Sequence, residues 1–100
     1  YLEWDLFGNE SSYYPLSDMD MPSDAQRMDL IKRMIDDEGC GQRTVIAHDI
    51  CTKHRLARYG GHGYGHILEN IVPRMRERGF TDGQVQAILV DNPARILTFV

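Results

Sequence analysis

Long hydrophobic runs are missing from this chain, and with them any segment that reads as a membrane span. Basic excess is missing too. Eleven Lys and Arg stand against 15 Asp and Glu, a net charge of −4. That balance argues against a nucleic-acid surface, although some basic residues gather between Arg43 and Arg58. Cysteine is scarce: Cys40 and Cys51 form no Cys-x-x-Cys pair, so a structural zinc knuckle is not expected. Two free thiols in a reducing compartment are preferred over a disulfide, which makes a cytoplasmic location the expectation. An initiator methionine is also lacking. The chain opens on Tyr1-Leu2-Glu3-Trp4-Asp5-Leu6-Phe7, already inside what reads as a strand, and a piece of a longer protein is expected. No secretory signal is seen, but such an opening makes that absence uninformative.

What remains is an ordinary globular composition, 42% apolar and 26% charged in 100 residues, enough for one small domain. The most informative stretch is Thr44-Val45-Ile46-Ala47-His48-Asp49. Apolar residues without alternation predict a strand buried on both faces, as in a parallel sheet. Such a strand delivers the residue after its last apolar position to the carboxyl edge of the sheet, where α/β proteins build their sites. Asp49 is therefore a candidate functional carboxylate, against the plainer reading that it caps the following loop.

The rest of the chain fits an alternating pattern. Tyr1 to Phe7 reads as a first strand ended by Gly8-Asn9, and Gly8 to Ser23 as a long loop. Ser23 is a fair N-cap. Met28, Ile31, Met34 and Ile35 recur at helical spacing up to Gly39, with Arg27, Asp29, Lys32, Arg33, Asp36 and Asp37 on the polar face. After Thr44 to Ala47 comes a glycine-rich loop, then an amphipathic helix through Ile67, Leu68, Ile71, Val72 and Met75, with a kink or restart expected at Pro73. Thr81 caps a short helix carrying Val85, Ile88 and Leu89. Asn92-Pro93 reads as N-cap and first position of a last turn. Strand–helix alternation implies parallel strands, and two strands alone do not complete a sheet.

Several constellations invite chemical readings. His48, His54, His62 and His66 crowd together near Asp49 and Cys51, but no standard metal-ligand spacing is met. His62 is read as a loop residue near a site, and His66 as a helix-start residue with a hydrogen-bonded partner. Gly60-Gly61-His62-Gly63-Tyr64-Gly65 lacks the Gly-Lys-Ser/Thr ending of a phosphate loop, so its glycines are read as allowing a tight fold over the mouth of a barrel. Asp5 and Asp49 each stand near the end of a predicted strand, so both would face one mouth. There one carboxylate could hold a metal and the other orient or shuttle a proton. Asp5 is equally consistent with a solvated strand end. Lys53, His54 and Arg55 follow Asp49 closely and could meet an anionic substrate, as could Arg58. A solvated loop would explain each of them individually.

Taken together, Tyr1-Leu2-Glu3-Trp4-Asp5, Ser12-Tyr13-Tyr14-Pro15, Ala47-His48-Asp49-Ile50, Gly60-Gly61-His62-Gly63-Tyr64 and Asn92-Pro93-Ala94-Arg95 resemble the C-terminal part of phosphotriesterase-related proteins of the amidohydrolase superfamily. The resemblance implies an α/β fold, with this chain supplying strands 7 and 8 and their helices in a (β/α)8 TIM barrel. It implies two divalent metal ions, usually zinc, at the carboxyl end of the barrel. Of the family's ligands only the eighth-strand Asp falls here, and it matches Asp49. By that resemblance Asp49 is both metal ligand and proton acceptor as a metal-bridged hydroxide attacks an amide or ester bond. Asp5 would stand behind it, His48 on the opposite face of the strand would pack or stand behind it without ligating, and Lys53, His54, Arg55 and His62 are read as facing a small-molecule substrate. Lactonase or phosphoester chemistry, or a binding module without turnover, are the alternatives. One departure stands out: phosphotriesterases proper carry a proton-relaying His where this chain has Leu6. The expected partners include neither nucleic acid nor membrane, a homodimer being the assembly considered for the full-length protein.

Overall fold

The computed structural model describes residues 1–11, 13 and 17–99. Two short strands, β1 (Leu2–Trp4) and β2 (Thr44–Ile46), pair in parallel, with Leu2 opposite Thr44 and Trp4 opposite Ile46. Pairing runs past the strands: the Ala47 amide donates to the Trp4 carbonyl at 3.0 Å, and the Phe7 amide to the Ala47 carbonyl at 3.1 Å. Both strands are shorter than the apolar runs that predict them. Each run is broken by a left-handed residue, Leu6 (φ 63°) after β1 and Asp49 (φ 49°) after β2. β2 is also less buried than expected: Thr44 is buried, but Val45 and Ile46 are only half-buried.

Between the strands lies α1 (Asp24–Glu38). Ser23 caps it with a full capping box: its hydroxyl accepts from the Gln26 amide while the Gln26 side chain accepts from the Ser23 amide. Gly39 ends it in the left-handed conformation (φ 63°), the role expected of it. The apolar stripe is core, with Met28 and Ile31 fully buried. Arg27 departs from the expected polar face and is only 2% exposed. A buried acidic partner draws it inward, as described below.

After β2, 3-10 turns at Lys53–Arg55 and Ala57–Tyr59 lead into the glycine-rich loop. The helix that follows starts as a π-helical turn, Ile67–Ile71, and continues as α2 (Val72–Glu77). The break expected at Pro73 takes this form. Proline offers no amide and its ring crowds the carbonyl four residues back, and a widened turn just before it accommodates both defects. The wider turn also shifts the helical phase, leaving Leu68 68% exposed outside the stripe to which its spacing assigned it.

The same device recurs near the end. Thr81 caps α3 (Asp82–Gln86) with a second capping box to Gln84, then a π-helical turn, Ala87–Asp91, runs straight into α4 (Asn92–Leu97). Asn92 is consequently helical and not an N-cap. Its buried side chain instead donates to the carbonyls of Gly41 (2.8 Å) and Thr44 (2.7 Å), tying the last helix to the root of β2. Phe7, Ile71, Met75, Phe80, Val85 and Ile88 join the α1 stripe in one apolar core. Both cysteines are free, Cys40 buried and Cys51 exposed. Among the described residues no helix is long and apolar enough to cross a membrane.

Candidate functional site at the strand ends

Asp49 follows the carboxyl end of β2 by three residues and is exposed. Among the described residues its carboxylate makes no hydrogen bond or ion pair, so its oxygens are free for an external partner. Its backbone is fixed. Arg55 curls back from the 3-10 turn and donates through Nη1 to the Asp49 carbonyl at 2.8 Å and through Nη2 to the Phe7 carbonyl at 2.9 Å. One guanidinium thus joins the segments leaving both strands. Asp5, directly after β1, is exposed, with its carboxylate likewise unpartnered among the described residues. The register sets Asp5 and Asp49 on neighbouring strand ends, as their spacing suggested.

His48 bonds to the helix that follows the glycine-rich loop. Its Nε2 accepts the backbone amide of Ile67 at 3.1 Å, at the start of the π-helical turn. Burial, followed by the neighbouring His66 and Arg55, pushes its pKa below the usual histidine range. A neutral ring with its proton on Nδ1 suits an Nε2 that accepts an amide. His48 therefore anchors the helix and offers no free Nε2 for ligation.

The 3-10 turns and the glycine-rich loop form one wall of a cavity of about 390 Å³. The segment Gly8-Asn9-Glu10-Ser11 forms the other wall, and His54, Arg55, Gly60, Gly61 and His62 face it. Three candidate substrate residues, His54, Arg55 and His62, are thus brought together. Lys53 is not among the lining residues: its ammonium sits 4.5 Å from the centre of the Tyr59 ring. Three of the loop's amides are engaged within the turns, Gly60 donating to Ala57, Gly61 to Leu56 and Gly63 to Arg55, so the loop folds tightly on the 3-10 turns before it. Gly61 is obligatory, since a Cβ there would lie 2.2 Å from the Arg55 carbonyl carbon.

Beneath this wall lies a buried polar network centred on Asp24, which the sequence did not single out. Its carboxylate accepts from the Gly8 amide (3.0 and 3.2 Å), from Arg27 Nη1 (3.3 Å) and from His66 Nε2 (2.7 Å). His66 Nδ1 accepts from the Asn70 amide at 3.0 Å, and the His62 ring stacks on His66 with centres 4.2 Å apart. Burial opposes ionisation of Asp24, but the hydrogen bonds from His66 and Gly8 outweigh it and hold the carboxyl below its usual range. At the first position of α1, Asp24 looks like an ordinary helix-dipole acid. Only the partner 42 residues away reveals it as a hub.

With His48 and His66 committed to hydrogen bonds, the histidine cluster makes no metal site by itself. No group of three or more His, Cys, Asp or Glu suited to a metal occurs among the described residues. Asp49 fits the part of one oxygen ligand, being exposed, unpartnered among the described residues and set past a strand's carboxyl end, and Asp5 shares those three features.

Parallel strands, each followed by helical structure, with a carboxylate free at their carboxyl ends, are two units of a (β/α)8 barrel, the fold class expected. The model of the Phosphotriesterase family matches residues 1–97, and the chain belongs to that family. N-acetyltaurine hydrolase of Danio rerio is 57% identical over 99% of this chain, and the chain spans 28% of that relative's length. The crystal structure of a resiniferatoxin-binding protein from Rhodobacter sphaeroides superposes with a TM-score of 0.88 at 32% identity, covering 96% of this chain and 26% of that one. A phosphotriesterase homology protein from Escherichia coli, complexed with phosphate in its active site, gives 0.79 at 27% identity over 95% and 29%.

Proposed function

We propose that the whole protein is a binuclear, zinc-dependent hydrolase that cleaves an amide or ester bond, with Asp49 as metal ligand and proton acceptor. The observation that carries this reading is the exposed Asp49 carboxylate, unpartnered among the described residues, on a backbone whose carbonyl the Arg55 guanidinium holds past a strand's carboxyl end. When bound, divalent ions supply Lewis acidity toward the scissile carbonyl and lower the pKa of water. This chain's residues then have distinct tasks. Asp49 would hold a metal ion and take up the proton of the attacking water, with Asp5 as the neighbouring carboxylate. His54 and His62 line a cavity that neither Asp49 nor Asp5 lines and would meet the part of the substrate away from the scissile bond, and Arg55 lends that wall positive charge. The relatives' name points to an N-acyl amide with an anionic head group as substrate, a class that suits this wall. The free thiols support a cytoplasmic setting.

A second reading, ligand binding without turnover, is favoured by the likeness to the Rhodobacter sphaeroides protein, which is named for binding and not for a reaction. Metal content and hydrolysis of N-acyl amides, lactones and phosphotriesters by the whole protein, with and without Asp49→Ala, separate the two. About two metals per protomer and loss of turnover on substitution support the hydrolase. A metal-free parent that Asp49→Ala leaves unchanged would leave the binding module.

A further inference from the structure

We propose that Arg55 is a positioning residue: a clamp that fixes the direction of the Asp49 carboxylate by bridging the ends of β1 and β2. The proposal rests on the reading of Asp49 given above.

Four observations converge on it. The guanidinium's two terminal nitrogens go to two carbonyls on different strand extensions, Asp49 at 2.8 Å and Phe7 at 2.9 Å. Both extensions carry a non-glycine left-handed residue, Asp49 itself and Leu6, next to Phe7. Such backbones persist only where the surroundings over-determine them. Arg55 is in turn held from behind, its carbonyl accepting the Gly63 amide at 3.0 Å and its amide donating to Thr52 at 3.2 Å. Finally, the loop passes so close at Gly61 that no side chain fits between it and the Arg55 backbone. The glycine-rich loop is thus a brace for the arginine, the arginine a brace for Asp49.

The fork is the essential feature. A planar guanidinium reaches two divergent acceptors at once, whereas a lysine ammonium on its flexible stem is a point charge without that geometry. A residue that only attracted an anionic substrate would tolerate lysine.

The test uses the whole protein as wild type, Arg55→Lys, Arg55→Ala and Asp49→Ala. Hydrogen exchange read by mass spectrometry on the metal-free protein follows residues 5–10 and 47–52. Kinetics use N-acetyltaurine and a neutral N-acyl amide. The clamp predicts that both segments, although on different strands, exchange faster together in Arg55→Lys. It also predicts a kcat about 10–100-fold lower at near-constant KM for both substrates, with metal retained more weakly. Unchanged exchange in both segments, or a rise in KM confined to the anionic substrate and rescued by lysine, overturns the clamp. If Asp49→Ala leaves metal content and turnover intact while Arg55→Lys still loosens both segments, the hydrolase reading is what fails. The positioning role then falls with it.

Discussion

Replacing Asp24 by Asn keeps the volume of the hub and removes its charge, so its effect isolates the buried network. In the native arrangement Asp24, Arg27 and His66 have side chains 2%, 3% and 4% exposed. The carboxylate satisfies donors from three directions. An amide presents one acceptor oxygen and two donors of its own, so whichever way it turns at least one of Arg27 and His66 loses its acceptor without gaining water, and the charge of the pair is gone. Breaking a buried ion pair from one side costs about 3–5 kcal/mol. Asp29, on the same helix as Asp24, supplies the comparison: it pairs with Arg78 at 3.1 Å, but the two side chains are 68% and 28% exposed. An exposed pair of that kind contributes about 0–1 kcal/mol. Equilibrium urea unfolding of the whole protein should therefore show Asp24→Asn with a midpoint lower by roughly 1–2 M at a slope near 3 kcal/mol/M. Asp29→Asn should barely move. Equal midpoints for the two variants would refute the reasoning, because a solvated Asp24 would then contribute no more than a surface acid.

The same carboxyl predicts a pH dependence. Its folded pKa lies below the ordinary 3.8, so its contribution is complete above that value and is lost as pH falls through the lower folded one. Stability measured between neutral pH and pH 3 should fall more steeply for wild type than for Asp24→Asn, and parallel curves would count against it. Asn92→Ala removes two donors from the carbonyls of Gly41 and Thr44. A loss of about 2–3 kcal/mol in urea unfolding is expected, and one under about 0.5 would show those carbonyls to be hydrated. Gly61→Ala places a methyl group inside the Arg55 backbone, and a loss of about 3 kcal/mol or more in the same assay is expected. Cys40 should resist a thiol reagent in native buffer and react only on unfolding, which timed labelling with and without denaturant will show.

Local signals are legible in the sequence because they are decided locally. Ser23, Thr81 and Gly39 occupy the caps their chemistry suits, and the methionine stripe of α1 is core. Asn92-Pro93 misleads because the same dipeptide suits an N-cap and the exit of a π-helical turn, and spacing does not distinguish the two. Arg27 misleads because amphipathic periodicity assigns charge to the outside unless a buried counter-charge is known. Legible, too, are the exposed carboxylate of Asp49 past a strand end and the gathering of His54, Arg55 and His62 along one cavity, since these last lie close in the chain. The Asp24 network is not, because its bonds join residues 16 and 42 positions apart. Nor is the second role of Arg55, whose bond to Phe7 spans 48 positions.

Leu6 carries a consequence for how this scaffold changes over evolutionary time. Its left-handed backbone disfavours a branched aliphatic side chain, while histidine is several-fold enriched in that conformation. By the sequence resemblance, this is the position where phosphotriesterases proper would carry a relaying His. A Leu6→His change would keep a backbone conformation that histidine adopts more readily than leucine does.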